Sequence, residues 1–160
     1  MLEDCKEMIC KDKEEHKKCK LCEASKFIKE GIRDICEGLE DVCKGLHKLK
    51  HGSKSDVCEG KRQIREGLKD IREGLKDLKK GFKLLGCDLE GAKDECDGLR
   101  DILRGIESIE RGIKDIEEGL DDIDECRFNE GEKKICRGIE NVKDGVRFIK
   151  EGLRDLFCFG

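Results

Sequence analysis

The sequence has no proline, no tryptophan, no tyrosine and no threonine. Thr, Tyr and Trp are residues on which strands normally draw, so a β-sandwich or barrel is not expected. Long apolar runs are also missing. None approaches the roughly 20 residues needed to span a bilayer, and Met1–Lys13 has no apolar stretch of the kind that forms an export signal. An excess of basic charge is absent too: 35 Lys and Arg stand against 39 Asp and Glu, a net charge of -4. Phosphate binding needs such an excess, so nucleic acid is not an expected partner.

What is present is charge and repetition. Of 160 residues, 46% are charged and 36% hydrophobic. That length suits one ordinary domain or two small ones, with the apolar positions confined to one face. Glycines recur every seventh residue in four runs: at 31, 38, 45 and 52; at 60, 67, 74 and 81; at 91, 98, 105, 112 and 119; and at 131, 138, 145 and 152. The unit reads Gly–Leu/Ile–x–Asp–Ile/Leu–x–x, as in Gly67-Leu68-Lys69-Asp70-Ile71-Arg72-Glu73. Its large aliphatics alternate in steps of three and four, which is the seam of packed helices and not the period of two that a strand requires.

Glycine inside a helix costs about 0.8–1 kcal/mol relative to Ala. Placed as one stripe beside the seam, it lets two backbones approach closely, and dispersion contacts offset the cost. Helices near the ~8 Å end of the usual spacing range are expected.

Breaks in the phase mark the turns. His51-Gly52-Ser53-Lys54-Ser55 is a glycine stop followed by serine caps, and Leu85-Gly86-Cys87-Asp88 a shorter stop with an aspartate cap. Asn129-x-x-Glu132 has the spacing of a capping box. Helices are therefore expected at about 20–51, 55–85, 88–126 and 130–158, joined by short loops. The fold class is all-α: an antiparallel up-down-up-down four-helix bundle with glycine-striped heptads in residues 20–160, and an N-terminal extension or arm in residues 1–19. The arm carries a charged run, Lys11–Lys18, behind a small apolar patch of Leu2, Cys5, Met8 and Ile9. On the helix surfaces Glu66 with Lys69, and Glu73 with Lys76, have i,i+3 spacing.

Twelve cysteines are the second strong signal. Cys22, Cys36, Cys43, Cys58, Cys96 and Cys136 each precede a stripe position by two residues, with Ala24 in the stripe after Cys22. Cys126 is read in the same phase, with Phe128 in its slot. This places them on the flank of the seam, where the same flank of a neighbouring antiparallel helix would face them. Projection across the turns pairs Cys43 with Cys58 and Cys126 with Cys136. Carried further, it pairs Cys22 with Cys96, Cys36 with Cys158 and Cys19 with Cys87, with an error of about one helical turn. Cys5 and Cys10 remain for bonds between subunits, with Leu2, Met8 and Ile9 as docking contacts.

Two metal alternatives stand beside this. Cys43, His47 and His51 follow at i, i+4 and i+8 with Cys58 across the turn, a Cys2His2 set suited to zinc; His16-x-x-Cys19-x-x-Cys22 has helical spacing as well. In cysteine count and expected architecture the chain also resembles bacterial copper-storage bundles, which implies thiolate binding of Cu(I). It departs from them in having no repeated Cys-x-x-x-Cys ladder, and its seam is Leu/Ile. Catalysis has no such signal. There is no phosphate loop between strand and helix, no Glu-x-x-His di-iron spacing, and no cysteine singled out beside a histidine.

The expectation is a structural subunit, not an enzyme and without a cofactor. It would assemble with itself into a disulfide-cross-linked filament or coat. The alternatives are copper or zinc storage and a discrete disulfide-stabilised monomer. Cysteine density of this order suits an oxidising setting, extracytoplasmic or at a cell surface. In cysteine usage the chain resembles cysteine-rich spore-surface proteins.

Overall fold

A computed structural model describes residues 15–84 and 97–157, with side chains described for 23–84 and 98–155. It contains four helices: α1 (Glu15–His51), α2 (Lys54–Leu84), α3 (Asp97–Asp124) and α4 (Phe128–Phe157). There is no strand among the described residues. The helices pair as two hairpins, α1 with α2 and α3 with α4.

Each helix is amphipathic for the reason read from the repeat. In α2 the buried side chains Ile64, Leu68, Ile71, Leu75, Leu78 and Phe82 follow at steps of three and four, and the stripe glycines lie beside them. Burying a side chain of this size is worth about 1.5–3 kcal/mol, which is what holds a chain of 46% charged residues in helices. The aliphatic residues of all four helices join in a single core.

Inside each hairpin the glycines meet in pairs. Gly31 faces Gly74, Gly38 faces Gly67 and Gly45 faces Gly60. In the second hairpin Gly105 faces Gly145, Gly112 faces Gly138 and Gly119 faces Gly131. Seven residues up one helix are thus matched by seven residues down the other. A methyl carbon on Gly38 would lie 2.5 Å from the Gly67 carbonyl oxygen and 2.8 Å from Ile71 Cγ1. Only a residue without a side chain fits there. Ala24 takes the stripe position opposite Gly81, at the end of the track. Between hairpins the backbones stand further apart, and contact passes through the aliphatic seam and charged side chains.

At the first turn Ser53 donates its backbone N–H to the Asp56 carboxylate at 3.0 Å, which caps the start of α2, and the Val57 N–H makes the first helical bond to the Ser53 carbonyl at 3.0 Å. The third turn differs from expectation. The Arg127 N–H bonds the Asp122 carbonyl at 2.8 Å and the Cys126 N–H bonds the Ile123 carbonyl at 3.0 Å, the two bonds of a Schellman motif. Cys126 has φ 66° and is the left-handed residue that ends α3, not a residue inside a helix. Arg127 then caps α4, because its carbonyl accepts the Gly131 N–H. Asn129 lies within the first turn of α4, so no capping box forms on it, and Glu132 instead reaches Lys50 of α1 at 2.8 Å. The expected Gly86 turn lies outside the described residues.

Candidate functional site

The thiols are the chemically reactive groups that the repeat positions, and their location follows from helix geometry. A step of two residues turns a helix by about 200°, so a residue two before a stripe glycine stands away from the hairpin partner. Charged residues in that position show what it faces. Arg72 of α2 pairs with Glu117 of α3; Lys79 pairs with Glu110 at 2.6 Å, and Arg65 with Asp124 at 3.3 Å. Each of these residues lies two before the glycine phase of its helix. The position therefore borders the other hairpin.

Cys36, Cys43, Cys58 and Cys126 are exposed free thiols, and Cys136 is a half-buried free thiol packed against the core. Neither the Cys43–Cys58 nor the Cys126–Cys136 bond is present. Cys43 and Cys58 lie on the outward flanks of their own hairpin, and Cys126 occupies the turn. Cys136 borders α1, within electrostatic reach of Lys50, whose ammonium pKa is raised chiefly by its bond to Glu132. Cys19 and Cys22 lie on α1, their side chains outside the described residues. Cys5, Cys10, Cys87, Cys96 and Cys158, with Leu2, Met8 and Ile9, lie outside the described residues altogether, so the remaining expected pairs have no geometry here.

The zinc set is not gathered. His47 and His51 stack with ring centroids 4.8 Å apart, but among the described residues no three His, Cys, Asp or Glu side chains converge as a metal site would need. The charged surface differs in detail too: Glu66 pairs with Arg62 at 2.6 Å, one helical turn back, and not with Lys69.

Two features at the turn end have no counterpart in the sequence reading. A cleft of about 490 Å³ opens between the end of α1 and the α3–α4 turn. Leu46, Leu49 and Ile123 supply apolar lining, and Lys50, His51, Asn129 and Glu132 polar lining. Phe128 also lines it and is 46% exposed, the exposed large hydrophobic residue of the described chain. Beside it, Asp122 is only 4% exposed and is held by Lys134 at 2.7 Å and Arg127 at 2.6 Å. These hydrogen bonds, from Lys134 first and Arg127 second, lower its carboxyl pKa against the opposing effect of burial. Asp recurs at this place in the unit, three residues after glycine, so composition does not distinguish Asp122 from Asp70 or Asp115. The only hint is its nearness to the break in phase. No family model matches the chain, and no curated protein and no solved structure gives a significant match.

Proposed function

We propose that the protein is a structural subunit that assembles with itself and is locked by disulfides between copies. In this reading the two hairpins form an antiparallel up-down-up-down four-helix bundle with glycine-striped heptads. The observation that carries it is the solvent exposure of the Cys36, Cys43 and Cys58 thiols along the flanks that border the other hairpin, and of Cys126 in the last turn. Groups that stand outward on one molecule are available to a second. Bond formation between two such thiols releases two protons and two electrons, with molecular oxygen as the acceptor. No helix of the described chain is long and apolar enough to cross a membrane, and self-association is the partnership proposed.

Gel electrophoresis with and without reductant tests this reading after oxidation in air. A ladder of multiples of 18.2 kDa that collapses on reduction is the expected result. A single monomer band under both conditions overturns it. Free thiols together with several bound copper or zinc ions per freshly purified chain would also overturn it, in favour of metal storage.

A further inference from the structure

The two hairpins are joined to themselves and to each other in different ways. Within a hairpin, glycine meets glycine and the fit is steric. Between hairpins the flank of α2 presents Lys61, Arg65, Arg72 and Lys79, all cations, and the facing flank of α3 presents Glu110, Glu117 and Asp124, all anions. Lys61 and Arg65 share Asp124, at 2.8 and 3.3 Å. On α1 the corresponding flank positions hold Lys29, Cys36, Cys43 and Lys50, with no acid among them. A second copy of the first hairpin thus offers no matching anions in this position, whereas the second hairpin offers three. Like charges set against each other exclude wrong partners more effectively than matched charges hold right ones.

We infer that this charged border selects second hairpins for first hairpins between copies as well as within one, so that the assembling partner is a second copy of this chain exchanging its hairpin. Twelve residues, 85–96, join Leu84 to Asp97; twelve residues span at most about 40 Å, which bounds how far a first hairpin can stand from the second hairpin of its own chain and leaves a neighbour's second hairpin to compete for the same border. The exchanged pair makes the same aliphatic and ionic contacts as the unexchanged one. Reciprocal exchange closes a dimer, and one-way exchange continues into a chain. The inference deepens the self-assembly reading and rests on it, but needs no disulfide.

Two full-length charge variants test it in reducing buffer. The first carries Lys61→Glu, Arg65→Glu, Arg72→Glu and Lys79→Glu; the second carries Glu110→Lys, Glu117→Lys and Asp124→Lys. Each opposes its own hairpins, and each complements the other. Mixed, unfolded and refolded together, they are expected to give a particle of twice the 18.2 kDa chain mass by light scattering, with the two variants in equal amounts by mass spectrometry. A chain carrying all seven substitutions restores the match internally and is expected to fold as a stable monomer at low concentration. A mixture that stays at monomer mass while the seven-fold variant folds overturns the inference, as do homodimers of either variant alone as abundant as the mixed dimer. Because thiols stay reduced throughout, these outcomes are separate from the gel ladder that tests disulfide locking.

Discussion

Gly112 and Gly138 meet so closely that a methyl group on either would lie 2.6 Å from the carbonyl oxygen of the other. The opposing atom is backbone and cannot turn aside. The usual benefit of replacing a helical glycine by alanine, about 0.8–1 kcal/mol, is therefore expected to change sign. Gly112→Ala and Gly38→Ala should each destabilise the protein by about 1–3 kcal/mol, the range for overfilling a packed interior. Urea denaturation measures it, and unchanged or increased stability in both variants would mean that the hairpins are not in this contact.

Cys126 holds a left-handed backbone conformation at φ 66°, which costs an L-residue with a Cβ about 1–2 kcal/mol. Glycine avoids this and is the commonest residue at such a helix end. Cys126→Gly is expected to stabilise the fold by about 1 kcal/mol, read as a raised thermal midpoint under reducing conditions. Cys126→Ala, which keeps the strain, should give no comparable gain.

Acid stability divides between two aspartates. The Asp122 carboxyl is held below the usual carboxylate range by Lys134 and Arg127. Its contribution is present above the unfolded pKa and is lost as pH falls through the lower, folded value. Asp122→Asn should lower the thermal midpoint at pH 7, and the deficit should begin to shrink below about pH 4, where the unfolded-state carboxylate takes up its proton while the folded one, held lower, still keeps its charge. Asp70 is the opposite case. Its pKa is raised, first by burial and then by Asp41, Glu73, Asp34 and Glu37. A raised carboxyl pKa makes the charged form unfavourable in the folded state, so Asp70→Asn should stabilise at pH 7 by about 0.2–0.5 kcal/mol, as for other like-charge pairs on helices. That gain should disappear in acid. Thermal melts of both variants between pH 3 and 7 check the two signs together.

Thiol accessibility gives a direct map of the cysteine positions. Under native reducing conditions, after removal of reductant, brief alkylation is expected to modify Cys36, Cys43, Cys58 and Cys126 faster than the half-buried Cys136. Peptide mass mapping at short times reads the order. Protection of Cys43 and Cys58 to the level of Cys136 would contradict the outward placement.

The helices, and the close packing within each hairpin, were legible in the sequence because a glycine every seven residues leaves few solutions other than a backbone contact at constant register. The position of Ala24 in the stripe was legible for the same reason. The regular offset of the cysteines from glycine is legible in the sequence, but the neighbour that this offset faces is not. A two-residue step carries them round to the border with the other hairpin, where Arg72 and Glu117 already mark that flank. The third turn is not legible locally: Asn129 and Glu132 have capping-box spacing, but the chain ends α3 through Cys126 and caps α4 with Arg127. No local signal distinguishes an aspartate sealed between Lys134 and Arg127 from the same residue type repeated along the surface; that depends on which helix comes to lie beside it.

The facing glycine tracks also restrict how such a molecule can change in length. Adding or deleting a single residue on one helix throws every subsequent pair out of step, and adding seven to one helix alone leaves an unmatched overhang. Growth is possible only by a whole unit on each helix of a hairpin, which makes the rod extensible in increments of about 10.5 Å, like a ruler cut only at its marked divisions.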